Sequence, residues 1–217
     1  MLFPPLCHLC FFVLSVFNTN MTPIQRKTQS ETFLASKHIT FDPQLPPIEA
    51  DFESRSVREI ARRAMCLTLV ALKAEGMAPD EVVEFKREHG LDTFLTGKEN
   101  RFLVAPPSNQ DARWVWRFEA LHILLWALGY VGQIGFPIEE SDAASEVEFL
   151  RELGPDGFVQ GAILRSNEQI LDAADWVFRL HQSVVDERGG TESVLEEQVE
   201  QWSHAFDWLT REEENWE

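Results

Sequence analysis

The residues best suited to chemistry lie in two apolar segments, one around position 120 and the other around position 175. In the first segment, Glu119 and His122 are three residues apart, which is the spacing of a ligand pair in di-iron helical bundles. Such a bundle needs two of these pairs and two further glutamates, and the sequence contains one pair. We therefore expect no metal here, and we interpret His122 as a core or boundary histidine and Glu119 as the partner of an arginine.

The second segment places His181 on the apolar side of a predicted helix, where it is either a hydrogen-bonded core histidine or a general base. The polar side of the same helix carries five residues spaced three or four apart: Asp172, Asp175, Arg179, Gln182 and Asp186. Carboxylates three residues apart can bind a cation or share a proton. We favour the simpler interpretation, a solvated face that contains an ion pair between Asp175 and Arg179.

The motifs of several well-known enzyme classes are missing from the sequence. It has no glycine-rich phosphate loop, no nucleophile elbow and no His-Glu-x-x-His segment. Cys7 and Cys10 have the spacing of half a zinc site, but no second pair follows, and Cys66 falls in an apolar helix as a small core residue. We expect no cofactor, no metal and a reducing, cytoplasmic location. Whether the protein is an enzyme stays open, because catalytic residues need not be adjacent in sequence.

These residues must be positioned by helices, because apolar residues recur at helical spacing and no alternating strand pattern occurs. Capping residues, glycines and prolines divide the chain into about seven or eight helices and predict an all-α fold, a compact orthogonal or bundle-like helical domain. Among these signals, Gly154 and Pro155 predict a break, and Ser166 and Gln169 predict the start of the helix that carries His181. The central element is the segment from Arg113 to Val131, which we predict as a long helix, capped by Ser108 and Asp111 and buried on most sides. It is too short and too interrupted to span a membrane.

The sequence predicts three regions along the chain. Residues 52–217 form the helical domain, and residues 21–51 form an N-terminal helix and a proline-rich linker. Residues 1–20 are strongly apolar, but they contain no Lys or Arg and end in a poor cleavage signal. We interpret them as an extension upstream of the true start at Met21, and a cleaved or anchoring leader is the alternative.

The excess negative charge, −17 in total, is confined to the second half of the chain. Residues 1–118 hold 14 basic and 14 acidic side chains, whereas residues 119–217 hold 5 basic and 22 acidic side chains. An acidic surface repels phosphate, so we expect no binding to nucleic acid or to anionic membranes. The acidic half either docks a basic protein partner or is a solvated surface that keeps the protein in solution.

Four segments resemble a bacterial family, the domain of unknown function 4272. They are RSVREIARRAMCLTLVALKAEG (55–76), WRFEALHILLWALG (116–129), LRSNEQILDAADWVFRLHQ (164–182) and FDWL…NW (206–216), and the resemblance covers about residues 22–216. It implies an all-α domain without established activity, and its onset near Thr22 supports Met21 as the start. The family pattern also points to a candidate polar cluster: Arg62, Arg117, Glu119, Trp126, Asp172, Arg179 and His181. The family tends to have His-Trp-Ala where this chain has His181-Gln182-Ser183, which puts a site at that position in doubt.

Two functional hypotheses follow from these observations. The first is a protein-interaction or regulatory module with an acidic docking face, which fits the uneven charge and the missing catalytic motifs. The alternative is a small-ligand-binding protein or an enzyme, in which five polar residues converge in a pocket between the two central helices. These residues are Arg117, Glu119, Asp172, Arg179 and His181. We favour the first hypothesis, and the second predicts a concave pocket beside Glu119 and Arg179.

Overall fold

The structure, a computed structural model, describes residues 21–49, 54–108, 111–210 and 215–216. Within these ranges the chain forms eight α-helices, one short 3-10 helix and no strand, which confirms the predicted all-α fold. The elements are α1 (Pro23–Ser36), α2 (Val57–Ala74), α3 (Pro79–Glu88), α4 (Gly97–Val104), the 3-10 helix (Asp111–Trp114), α5 (Arg117–Ala127), α6 (Ala143–Gln160), α7 (Asn167–Val185) and α8 (Glu196–Leu209). The apolar segment 1–20, with Cys7 and Cys10, lies outside the described residues, and the predicted division into three regions stays a prediction.

Capping boxes start four helices of the described chain. In each box, a Thr or Ser side chain accepts a hydrogen bond from the backbone of the third helical residue, and that residue's Gln or Glu side chain accepts one from the capping residue. The pairs are Thr22–Gln25, Ser56–Glu59, Thr96–Glu99 and Ser166–Gln169. The first turns of α1 and α7, which border the candidate site, are therefore fixed by local sequence.

Helix α5 lies at the centre of the larger hydrophobic core and packs against α2, α6 and α8. Nine of its eleven residues are buried, as the all-round apolar pattern predicts. Helix α7 packs against both α8 and α1. Between α1, α7 and α8 a second, smaller core forms from Leu34, Ile39, Leu180 and Val199. Because α1 covers part of α7, side chains on that part of α7 are removed from water.

The predicted central helix is shorter than expected, and α5 begins only at Arg117. The residues before it form the 3-10 helix, and hydrogen bonds from Ser108 to Asp111 stabilise that turn rather than the start of α5. Trp114, the last residue of the 3-10 helix, stacks on Phe102 of α4 with 4.6 Å between the ring centroids. The 3-10 helix is thereby packed on α4, whereas α5 is packed in the core.

Helix α6 is kinked at Gly154, where φ is +62° and ψ is 172°, a conformation that suits glycine. Pro155 follows and has no N–H to continue the helical hydrogen bonds. The sequence predicts this break, but the helix resumes and runs to Gln160. The second part of α6 packs on the core through Phe158, whose side chain is fully buried. The Phe158 carbonyl also accepts a hydrogen bond from the Tyr130 hydroxyl.

Candidate functional site

The polar residues singled out from the sequence lie in different contact networks. Two of them contact residues outside the predicted cluster. The Arg62 guanidinium lies 4.3 Å from the centre of the Phe94 ring, and Arg117 donates a hydrogen bond of 3.0 Å to Gln201. Neither Glu119 nor Arg179 lines either of the two cavities described below. The structure therefore does not gather the five residues of the alternative hypothesis around one pocket.

Glu119 is the centre of a buried network between α5, α8 and the loop that joins α5 to α6 (residues 128–142). Its carboxylate accepts hydrogen bonds from the Ser141 backbone N–H at 2.8 Å, from Gln198 Nε2 at 2.7 Å and from Trp202 Nε1 at 3.2 Å. The expectation that Glu119 pairs with an arginine is wrong. Three N–H donors from neighbouring elements satisfy the carboxylate instead, which is how a buried charge avoids the penalty of desolvation.

His122 is held on both sides of its ring by acceptors, Nδ1 by the Glu146 carboxylate and Nε2 by the Ile134 carbonyl at 3.3 Å. Burial alone lowers the pKa of His122, but the hydrogen bond and charge of Glu146 outweigh it and raise the pKa above its usual value. The ring therefore joins α5 to the Glu146 side chain of α6 and to the loop before α6. Among the described residues, no group of three or more His, Cys, Asp or Glu side chains is arranged to hold a metal ion.

Asp175 and Arg179 form a fully buried ion pair on α7. Two hydrogen bonds join the side chains, Nε to Oδ2 at 2.8 Å and Nη2 to Oδ1 at 3.0 Å, and both residues have no exposed surface. Arg179 Nη2 also donates to the Pro46 carbonyl at 2.9 Å. The predicted solvated face is therefore wrong for this pair, because α1 and the proline-rich segment cover that part of α7.

Asp172, one turn before Asp175, belongs to a third network that fastens α1 to α7. Its Oδ1 accepts a hydrogen bond of 2.9 Å from Arg26 Nε, and Arg26 Nη1 also reaches the Ile48 carbonyl at 3.4 Å. Burial raises the pKa of Asp172, and the Arg26 charge opposes that effect. The sequence does not distinguish Arg26 from a surface residue, because it lies on a largely polar helix, and only the structure shows that it is 1% exposed.

A cavity of about 280 Å³, the α1–α7 cavity, lies between α1, residues 132–135 and the first turns of α7. Its apolar walls include Phe33, Trp126 and Trp176, and its charged residues are Arg26, Arg165 and Asp172. The cavity thus contains two residues of the predicted cluster, Trp126 and Asp172. An apolar cavity with a few polar groups from several elements is the usual form of a small-ligand site.

Arg165 is the most informative residue of this cavity, and sequence analysis did not identify it. Its Nε donates to the Trp126 carbonyl at 2.8 Å, and its Nη2 donates to the carbonyls of Val131 and Gly132 at 2.8 and 3.0 Å. Its guanidinium also lies 4.6 Å from the centre of the Trp126 ring. Burial lowers the pKa of Arg165, and no carboxylate of the described residues lies within ion-pair distance of it.

His181 lies in a different place, a cavity of about 510 Å³ between residues 46–49, α7 and α8. The residue is half-buried, and burial lowers the pKa of its ring, so it is neutral near pH 7. No hydrogen bond joins the ring to another described residue. His181 is therefore neither the hydrogen-bonded core histidine of the first interpretation nor a general base that a third group orients. His181 therefore has no partner from the predicted cluster.

The fold and the α1–α7 cavity define an all-α protein with a small cavity that opens to the surface. A family model for the domain of unknown function DUF4272 matches residues 26–217, and the chain belongs to this family. The resemblance found in the sequence is thereby confirmed. No curated protein and no solved structure shows significant similarity to the chain. In the part of the chain that the structure describes, no helix combines the length and the apolar character that crossing a membrane requires.

Proposed function

We propose that this protein binds a small ligand in the α1–α7 cavity. The supporting observation is the composition of its lining, in which two tryptophans and a phenylalanine share a space of about 280 Å³ with a fixed arginine. This volume is close to the lower end of the range of ligand sites, about 300–1,000 Å³. A catalytic role has less support, because the carboxylates of Glu119, Asp172 and Asp175 are occupied by protein donors.

Blocking the cavity is expected to abolish ligand binding. Gln133 is an exposed residue at the edge of the cavity, so Gln133→Trp fills the entrance without changing the core. Compounds from a library of small aromatic and aliphatic molecules should raise the melting temperature of the wild type and leave that of the variant unchanged. A bound ligand at about 100 times its Kd stabilises the folded state by about 2.7 kcal/mol, which thermal unfolding detects.

The matched control for this experiment is Gln160→Trp, at the exposed end of α6 and outside the cavity lining. Its response to each compound should equal that of the wild type. If no compound stabilises the wild type, or if Gln133→Trp responds as strongly as the control, the α1–α7 cavity is not a ligand site.

A second candidate function is the docking of a basic protein partner on an acidic face. This face comprises six carboxylates: Glu139, Glu140, Asp142, Glu192, Glu196 and Glu197. All six are exposed, and none has an ion pair within the described residues. The two segments that carry them are joined by a hydrogen bond from the Leu195 N–H to the Pro137 carbonyl at 2.8 Å. This adjacency supports one continuous surface.

Neutralising the acidic face is expected to weaken partner binding at least about tenfold at low salt, since exposed charges act within a Debye length. The variant replaces Glu139, Glu140, Glu196 and Glu197 with glutamine. The control replaces four exposed glutamates elsewhere, Glu75, Glu84, Glu88 and Glu152, and so has the same net charge. Co-purification from native lysate at low and high salt compares the two. Equal recovery of the same proteins by both variants would show that total charge, and not this face, attracts them.

A further inference from the structure

The α1–α7 cavity carries one uncompensated positive charge. Its lining contains three charged side chains, and two of them, Arg26 and Asp172, neutralise each other through a hydrogen bond of 2.9 Å. The third, Arg165, has carbonyl oxygens as its only hydrogen-bond partners among the described residues. The net charge of the cavity lining is therefore +1. This positive charge comes from Arg165, which lies in the acidic half of the chain, residues 119–217, with 22 acidic and 5 basic side chains.

The guanidinium of Arg165 is oriented before any ligand arrives. Three carbonyl oxygens hold Nε and Nη2, and the Trp126 ring packs against the group. Nη1 is left without an acceptor in the described part of the chain. A group held in this way loses little further freedom on binding, so its hydrogen bond to a ligand contributes to affinity almost fully.

A purely structural role explains only part of this arrangement. Arg165 does join the end of α5 and the following loop to the start of α7, and such a contact stabilises the loop. A neutral donor such as glutamine makes bonds of the same kind without placing a charge at a partly buried position. The positive charge of Arg165 has no described carboxylate within ion-pair distance, which points to an anionic ligand as its partner.

The remaining lining limits the kind of anion. Trp126, Trp176 and Phe33 present apolar surface, so the rest of the ligand is expected to be apolar and flat. A dianion such as a phosphate monoester would leave one negative charge uncompensated in the cavity, whereas a carboxylate balances Arg165. We propose that the α1–α7 cavity binds a small organic monocarboxylate, with the carboxylate on Arg165 and the apolar body between Trp126 and Trp176. This inference rests on the proposed ligand-binding function.

Isothermal titration calorimetry with three probes tests this inference. Benzoate carries the proposed charge and body, benzyl alcohol carries the body alone, and inorganic phosphate carries charge alone. The wild type should bind benzoate at least about tenfold more tightly than benzyl alcohol, since a hydrogen bond to a charged group contributes about that much. Phosphate should bind more weakly than benzoate. Arg165→Gln should reduce the preference for benzoate over benzyl alcohol to less than about twofold, and Arg151→Gln, an exposed control with the same charge change, should keep it.

Arg165→Gln also removes hydrogen bonds that hold the loop, so Arg165→Lys provides a second test. Lysine keeps the charge but not the planar fork, and the preference for benzoate should persist while the affinity falls. Gln133→Trp should remove the binding of both aromatic probes. Two results would overturn the monocarboxylate proposal and leave the ligand-binding function standing. One is equal affinity of the wild type for benzoate and benzyl alcohol, and the other is tighter binding of phosphate than of benzoate. If neither aromatic probe binds the wild type, the monocarboxylate proposal fails, and the ligand-binding function fails with it only if the compound library also gives no ligand.

Discussion

Replacing Asp175 with alanine is expected to destabilise the protein by about 3–5 kcal/mol, because the Arg179 guanidinium is then buried without its partner. Both side chains have no exposed surface, and two hydrogen bonds of 2.8 and 3.0 Å join them. Two weaker contacts remain: the Pro46 carbonyl accepts a hydrogen bond of 2.9 Å from Arg179, and the partly exposed Glu31 carboxylate lies 4.0 Å from Arg179 Nη1, too far for a hydrogen bond. Urea unfolding followed by circular dichroism measures the change in the free energy of unfolding.

Two further variants separate the ion pair from a general effect of mutating α7. Asp186→Ala removes an exposed aspartate at the C-cap of the same helix, whose contacts with Gln182 and Arg188 lie at the surface, and should cost less than about 1 kcal/mol. The double variant Asp175→Leu with Arg179→Met replaces the buried pair with apolar side chains and should lose much less stability than Asp175→Ala. A midpoint for Asp175→Ala close to that of the wild type would contradict the buried position of the pair and the packing of α1 on α7.

Replacing Glu119 with alanine is expected to have a similarly large effect, at least about 3 kcal/mol. The substitution leaves the Ser141 N–H, Gln198 Nε2 and Trp202 Nε1 without their acceptor, and each buried, unsatisfied donor costs about 1–3 kcal/mol. Glu119→Gln should have a smaller effect, because the amide keeps one oxygen to accept a hydrogen bond. The measurement is again the free energy of unfolding in urea.

The control for Glu119 is Glu148→Ala, an exposed glutamate on α6 that should behave like the wild type. An unfolding free energy of Glu119→Ala equal to that of this control would show that the network is solvated.

The sequence was sufficient to predict the helices and their ends where the determining residues are local. Ser166 and Gln169 predict the start of α7 through a capping box, and the structure has that box. The apolar composition of α5 predicts its burial, since no side of the helix is polar enough to face water. The start of α5 was missed because the capping pair Ser108 and Asp111 begins a 3-10 helix, and the local capping signal does not distinguish that helix from the first turn of an α-helix.

The polar residues were harder to interpret, because a helical pattern identifies a polar side but not what covers it. Asp175 and Arg179 have the spacing of an exposed ion pair, and only the packing of α1 on α7 shows that they are buried. Trp126 was identified through the family resemblance alone, whereas Asp172 was also identified through the spacing of the polar residues on its helix. Arg165 was missed because its distinguishing feature is the lack of a nearby carboxylate, which a sequence does not reveal.

The position of α1 has a consequence for how the cavity is linked to protein motion. This helix packs mainly on α7 and forms one wall of the α1–α7 cavity. Local unfolding of α1 removes that wall while α5 and its neighbours stay packed. A molecule bound in the cavity is therefore expected to shift the equilibrium towards the docked helix, and the backbone amides of α1 should exchange with deuterium more slowly in its presence.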